Sequence, residues 1–575
     1  MRPLHASLGI HAEAVTQELN GWLETDRVAR LWREESSLWT GQDENRWLGW
    51  LRIAETESTQ LARYQDAADD VRTAGFTDAV VLGMGGSSLC PDVLRRTFGP
   101  QKGYPRLHVV DSMVPAQVRE VRRQIDPRTT LFLVASKSGS TIEPNVLLQF
   151  FYDEVSKAVG PEHAGEHFIA VTDPGTKMQA TAEQMKFRRV YFGLPEIGGR
   201  YSALSKFGMV PAAVMGLNVG RLLKSAQQMS QECQKSGRGE QNPGIELGCI
   251  LGVMTRAGRD KVTLITSPGI STLGGWLEQL LAESLGKKGQ GLIPIDGEQL
   301  GPAELYGQDR LFVYVRLTSA PSATQEVAVA ALKAAGHPVV QIDLDHIYDL
   351  GGEFLRWEIA TAVAGAVLKI HPFDQPDVEA AKIAARALMA EYEKAGQLKG
   401  PPVDLQADGQ SVTMTSALKT QVSKSGQSGG LTTAVQALAA LLRTLQPGDY
   451  FAINAYVDMN EAHARPLENL RLAVRNQKRV ATTLGFGPRF LHSTGQLHKG
   501  GPNNGVFLQI TADDAHDLAI PGQKFSFGIL KQAQATGDFA VLEERGRRAI
   551  HLHLGADVET ALHWLSQQVA ASLSG

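Results

Sequence analysis

From residue 78 onward the chain alternates short apolar runs with amphipathic stretches, and it does so twice. The first series reads DAVVLGMG, SSLCPDVLRRTF, RLHVVDS, VPAQVREVRRQI, TLFLVASKSGS, TIEPNVLLQFFYDEVSKA, HFIAVTDP, GTKMQATAEQM and RRVYFGLP, ending near Gly199. Short apolar runs bounded by glycine turns predict buried parallel strands, and the stretches between them predict the helices that cover the sheet. Strand–loop–helix repeated in this way argues for a doubly wound α/β fold. In such sheets ligands sit at the carboxyl ends of the strands. A second series starts near 245 with DKVTLITSP, STLGGWLEQLLAESLGKK, GLIPIDG, RLFVYVRLTS, SATQEVAVAALKAAG and HPVVQIDLD, and closes on the apolar helix EFLRWEIATAVAGAVLKI.

With 575 residues the chain is too long for one compact core. The two series divide it into an α/β domain over 71–235 and another over 236–395. Residues 1–70 predict a helical segment that packs on the main body, and five of the eight tryptophans fall there: Trp22, Trp32, Trp39, Trp47 and Trp50. The polar, Gly/Ser/Pro-rich stretch 396–430 reads as a linker. A C-terminal α/β unit over 431–575 follows, with strands in DYFAINAYVD, GVFLQIT and AIHLHLG. The basic helix RPLENLRLAVRNQKRVATTL between them reads as a solvated face.

A net charge of −4 gives no footprint of nucleic-acid binding, and no apolar run approaches a membrane span. The first residues lack a signal-peptide core. Cys90, Cys233 and Cys249 show neither metal spacing nor an even disulfide set, so reduced thiols in a cytoplasmic protein are expected.

Five stretches carry candidate chemistry. GMGGSS at Gly83–Ser88 lacks the sixth-position glycine of a dinucleotide fingerprint and the lysine of a P-loop. What remains is a strand–loop–helix turn with N–H groups and hydroxyls, including Gly86 and Ser87, at a helix start, a geometry that suits an anion. LFLVASKSGST repeats the theme with Ser136, Lys137, Ser138 and Thr141, and ordinary capping explains one hydroxyl but not several. Two such loops in one sheet favour a phosphate monoester. In PEIGGRYSALSKFG, Arg200 follows paired glycines and can stabilise a developing oxyanion or form a salt bridge. In LAESLGKKGQ, Glu283 ends a predicted helix in apolar surroundings, where it can serve as a base or as half of a buried ion pair. HPFDQPDVEAAK sets Gln375 seven residues before Lys382, near the start of a predicted helix.

Read together and in this order, the five stretches resemble the phosphoglucose (glucose-6-phosphate) isomerase family, whose members carry two sugar-isomerase (SIS) domains with parallel sheets flanked by helices. GMGGSSL is similar to the family's G-x-G-G-S loop, SKSGST to its S-K-[ST]-x-x-T phosphate loop, and GGRYS to its G-G-R-[FY]-S signature. AESLGK is similar to the M-E-S-x-G-K block, and PFDQPDVEAAK to the C-terminal P-F-D-Q signature. The likeness spans about 78 to 390. RLWREESSLW, GGEFLRWEIATAVAG and STGQLHKGGP further resemble the isomerase half of bifunctional transaldolase/phosphoglucose isomerase proteins. A transaldolase needs a complete β/α barrel, for which this chain has no room, so no transaldolase activity is expected of it.

The resemblance implies reversible interconversion of glucose 6-phosphate and fructose 6-phosphate through a cis-enediolate. Ser87, Ser136, Ser138 and Thr141, with Gly86 and Lys137 alongside, would hold the 6-phosphate. Glu283 would move the proton between C2 and C1, Arg200 would stabilise the enediolate, and Gln375 and Lys382 would contact sugar oxygens. No metal or other cofactor is implied, and a homodimer is expected. One departure concerns ring opening: Gly352-Glu353-Phe354 stands where the family has G-Q-H-x-F, leaving His371, then His498 and His346, as stand-ins. The alternatives are an isomerase that also accepts mannose 6-phosphate, and a non-catalytic SIS-domain sensor, which would need neither Glu283 nor Arg200.

Overall fold

The computed structural model describes residues 4–237, 239–407, 409–424 and 431–574. The chain divides into two compact units. Met1–Asp111, Glu120–Leu285 and Leu311–Asp374 form the first, and Ser112–Arg119, Gly286–Arg310 and Gln375–Gly575 the second.

The first unit is an α/β structure with parallel sheets flanked by helices. One sheet runs, in spatial order, Arg106–Val110, Asp78–Leu82, Thr130–Ala135, Phe168–Thr172 and Arg189–Phe192, every neighbour parallel. Its central strands are buried along their whole length, as expected of runs rich in valine and leucine that helices cover on both faces. The second sheet runs His5–Ser7, Val339–Leu344, Arg310–Leu317 and Lys261–Thr266. Val339–Leu344 pairs parallel with Arg310–Leu317, and His5–Ser7 adds an antiparallel edge. The helical reading of residues 1–70 missed that edge strand, because three half-polar residues carry no periodic signal.

Two buried helices of this unit pack against each other. In Pro243–Arg256 the glycines 244, 248 and 252 share one face. A Cβ there would lie 2.7 Å from Ile359, 2.5 Å from Val363 and 2.6 Å from Val367, all on Leu350–Leu368. The glycine stripe therefore lets the two backbones approach closely. Two of the N-terminal tryptophans are tied into this unit through their indole N–H groups. Trp32 donates to the Cys233 carbonyl at 3.1 Å and Trp39 to the Ala362 carbonyl at 2.7 Å. The three cysteines are buried and unpaired, and burial pushes their thiols up from the usual range.

The second unit is built on a sheet in the order Leu405–Ala407, Gln410–Met414, Arg548–His553, Gly505–Thr511, Tyr450–Tyr456 and Ala481–Phe486. The last four are parallel and the first two antiparallel. Two expectations change here. The stretch read as a linker, 396–430, supplies two strands and the helix Ser416–Lys424, while 425–430 lie outside the described residues. Val412 and Leu418 join the core, so a polar composition concealed a short alternating strand. The long basic helix ends at Lys478, where Arg479 turns left-handed (φ 55°), and the β-branched ATT that follows opens the strand Ala481–Phe486. That helix is no purely solvated face. Arg471 is buried, donating to the carbonyls of Thr482 at 2.9 Å and Asp296 at 2.7 Å, and Arg475 donates to the carbonyl of Gln299. Among the described residues, no helix is long and apolar enough to cross a membrane.

Candidate active site

At the carboxyl end of Asp78–Leu82, Gly85 takes φ +55°, a value glycine adopts without strain. Gly86 has a different reason to lack a side chain. A Cβ there would fall 1.9 Å from the Gly199 carbonyl oxygen, so the GMGGSS and GGRYS turns touch backbone to backbone. A Cβ on Gly198 or Gly199 would meet nothing within 4 Å. Gly86 thus serves the packing of one turn on the other, and the open space lies at Gly198 and Gly199. Ser87 is nearly buried beside this contact, and Ser88 spends its hydroxyl on the Gly85 carbonyl at 3.1 Å.

The second loop is open. Ser138 and Ser140 are exposed, with their hydroxyls 2.9 Å apart across Gly139 at φ +66°. Thr141 stands at the N-cap of the helix Ile142–Val159, yet its hydroxyl makes no capping bond. Ser136 is buried with its hydroxyl unpartnered. Capping therefore accounts for neither side chain. Lys137 turns toward Asp173, which its ammonium contacts directly, and toward the Pro195 carbonyl at 3.3 Å. Burial pushes the Asp173 carboxyl up, and the Lys137 ammonium opposes that shift. Asp173, just past the strand Phe168–Thr172, sets the direction of Lys137, and sequence alone gave no reason to notice it.

Arg200 and Glu283 meet. Arg200 Nη1 lies 3.1 Å from Glu283 Oε1, with the arginine side chain 2% exposed and the carboxylate 12%. The guanidinium is fixed on its other sides by the Ser284 hydroxyl at 2.7 Å and the carbonyls of Pro372 and Asp374 at 2.8 and 2.9 Å. Gln279, one turn back on the helix Leu273–Leu285, donates to Glu283 Oε2 at 3.1 Å. A planar, multiply held guanidinium against a carboxylate in a nearly dry setting is a fixed charge pair with little freedom to reorganise.

The turn that receives Arg200 is itself held from behind. His371 is buried. Its Nε2 lies 2.9 Å from Asp43 Oδ1, and its Nδ1 accepts the Phe373 N–H at 3.1 Å. The hydrogen bond from His371 draws the Asp43 carboxyl below the usual range. Trp50 stacks on Tyr201 at 5.1 Å between ring centroids, and Phe373 meets both Trp39 and Tyr201 edge-on. His371, the first stand-in for ring opening, therefore has both ring nitrogens turned to protein groups, and its place is behind the Pro372–Asp374 turn. His346 caps a short helical turn by accepting the Tyr348 N–H.

Gln375 and Lys382 belong to the second unit. Gln375 is the exposed residue preceding the helix Pro376–Ala395. Lys382 is half-exposed nearly two turns along, 3.9 Å from Glu379 of its own helix. The GQLHKG stretch explains why this helix starts where it does. Gln496 accepts the Asp377 and Val378 N–H groups at 2.9 and 3.3 Å, and donates to Asp377 Oδ2 at 2.7 Å and the Gly286 carbonyl at 3.1 Å. Two more glycines make the fit close: a Cβ on Gly286 would lie 2.6 Å from Leu497 Cα, and one on Gly500 2.3 Å from Asp377. His498, two residues after Gln496, is buried against Phe507 at 5.1 Å, and burial lowers its pKa well below the usual range. Among the described residues no group of three or more His, Cys, Asp or Glu could hold a metal ion.

Comparisons with known proteins bear on this geometry. A family profile described as phosphoglucose isomerase matches residues 66–298, which carry both hydroxyl loops, Arg200 and Glu283. A glucose-6-phosphate isomerase of Rubrobacter xylanophilus is 30% identical over 383 residues, covering 58% of this chain and 87% of the relative. The chain belongs to the phosphoglucose isomerase family. A glucose-6-phosphate isomerase of Thermus thermophilus is similar at 29% identity, over 60% of this chain and 90% of the relative. Among solved structures, a hypothetical protein of Thermus thermophilus superposes with a TM-score of 0.57 at 25% identity, over 67% of this chain and all of that one. A glucose-6-phosphate isomerase of Chlamydia trachomatis shares the fold, with a TM-score of 0.50 at 21% identity over 64% of this chain and 78% of that one. Membership in the phosphoglucose isomerase family carries sugar-phosphate isomerase chemistry in general terms.

Proposed function

We propose that this chain interconverts glucose 6-phosphate and fructose 6-phosphate by moving one proton between C2 and C1. The observation that carries the reading is the Arg200–Glu283 pair, buried and held by Ser284 and two backbone carbonyls. Glu283 takes the proton from C2 of the opened aldose and returns it to C1, so a single base serves both carbons. The negative charge that develops on the enediolate oxygens falls beside Arg200, whose geometry is fixed before substrate arrives and so costs little reorganisation.

The hydroxyls of Ser87, Ser136, Ser138 and Thr141 hold the 6-phosphate, with Lys137 supplying charge from the side Asp173 sets. Binding the remote phosphate fixes C1 and C2 against the base, which converts binding energy into orientation. His371 acts as a positioning residue that fixes the carbonyls holding Arg200. A homodimer in the cytoplasm goes with this reading.

The test is fructose 6-phosphate to glucose 6-phosphate turnover by wild type and Glu283→Gln. Glu283→Gln is expected to bind fructose 6-phosphate as wild type does and to lose turnover by at least about 10²-fold. Turnover equal to wild type would overturn the assignment of the base.

A further inference from the structure

The sheet of the second unit has one apolar and one polar face, and both are covered. Ile453, Leu508 and Ile550 lie in register on one face and join the main core of this unit. On the other face register brings Asn454, Gln509, His551 and Thr413 into one row, and Tyr456, Thr511, His553 and Ser411 into the next. The helices Gly495–Gly500 and Phe527–Glu544 pack on this polar face: Gln509 donates to the Ala535 carbonyl at 2.7 Å, and Lys499 pairs with Asp538 in full burial. Buried polar rows of this kind cost stability unless every group is satisfied.

The second row ends in a cavity of about 530 Å³ at the carboxyl ends of Gly505–Thr511 and Arg548–His553. Gly400, Pro401 and Val403 line one side and the first turns of Phe527–Glu544 another. A polar cleft of this size at the ends of parallel strands is where such sheets bind small molecules. Its wall is a hydrogen-bond relay. The Thr511 hydroxyl lies 2.8 Å from His551 Nε2 and 3.1 Å from His553 Nδ1, and His553 Nε2 lies 3.4 Å from Asp513.

The one ammonium that lines the cavity is already paired. Lys531 pairs with Asp514 at 2.7 Å and donates to the Ala512 carbonyl at 3.3 Å. Asp517 accepts the Gly528 N–H at 2.8 Å and the Ser526 hydroxyl, so a carboxylate already occupies the start of the helix Phe527–Glu544. Burial and the neighbouring His553 push the His551 pKa down to about 4, which leaves that imidazole neutral as a donor and acceptor. Three carboxylates against one ammonium repel a phosphate.

We propose that this cavity binds an uncharged polyhydroxylated molecule, a sugar or a polyol. Hydroxyl, imidazole and amide groups that both donate and accept complement such a ligand, and the net negative lining excludes its phosphorylated forms.

The experiment titrates the full-length protein with D-glucose, D-fructose and myo-inositol by calorimetry, with inorganic phosphate and glucose 6-phosphate as anionic probes. At least one neutral compound is expected to saturate wild type with a Kd below about 10 mM. Thr511→Val and Thr536→Val, which remove hydroxyls from the lining without changing shape, should each weaken it by about tenfold, and saturating glucose 6-phosphate should leave it intact. Thr536→Val, on a half-buried helix position, remains informative where Thr511→Val perturbs the sheet. Three results would overturn the proposal: no neutral compound binding below that limit, binding unchanged in both threonine variants, or displacement of the bound compound by glucose 6-phosphate or inorganic phosphate.

Discussion

In the first unit the strands Asp78–Leu82 and Thr130–Ala135 are buried along their whole length, and the polar chemistry begins only where each strand ends. In the second unit the polar residues lie within the strands, as the rows through Asn454 and Tyr456 show. The loop design leaves hydroxyls exposed, as at Ser138 and Ser140, outside the packed core. The sheet-face design buries its polar groups and ties their satisfaction to folding. The polar groups of a parallel sheet can thus begin where the strands end or lie within the strands themselves.

The largest expected effect sharpens the first half of that comparison. Arg200→Ala leaves the Glu283 carboxylate and the Pro372 and Asp374 carbonyls facing an empty site. Turnover should fall by about 10³-fold. Chemical denaturation should show a loss of about 3 kcal/mol, because the partner charge is left buried. A variant with near-normal turnover would mean that the pair is structural.

The two glycine turns can be separated in one experiment. Gly86→Ala drives a methyl into the Gly199 carbonyl and should cost at least about 4 kcal/mol in urea denaturation. Gly198→Ala enters open space with its backbone at φ −64°, ψ 153°, which any residue adopts, so it should shift stability by less than about 1 kcal/mol. Equal losses in both would break the claim that one turn packs and the other stays open.

The smallest effect concerns the second unit and pH. His551 is neutral in the fold down to about pH 4, whereas its ordinary value is 6.5. Between these values the unfolded chain binds the extra proton, so stability is fully present above 6.5 and declines as pH falls toward 4. The decline attributable to this group is at most about 3 kcal/mol, and His551→Phe should flatten the denaturation midpoints across that window. An unaltered pH profile in the variant would place the titration elsewhere.

Much of the first unit is legible in the sequence, because runs such as VVLG and LFLVAS announce a buried strand and the glycines and serines after them announce a ligand turn. The second unit reads less well. Its strands alternate apolar and polar residues, a pattern that identifies two faces but is the same whether the polar face meets water or a covering helix. The strand at Ala481–Phe486 was hidden for another reason: Arg479, an ordinary helix former, takes the left-handed turn that ends the preceding helix.

At the candidate site, the sequence by itself determined the residue types: the hydroxyl loops, Arg200 and Glu283 follow from local composition and order. Only the tertiary structure decided that Arg200 and Glu283 touch, that Gly86 is spent on Gly199, that Asp173 directs Lys137, and that His371 faces Asp43. These contacts join residues far apart in the chain, from 36 positions for Lys137 and Asp173 to 328 for Asp43 and His371. Periodicity and turn chemistry act over a few residues and fix which groups are present. Packing across the chain fixes which of them meet.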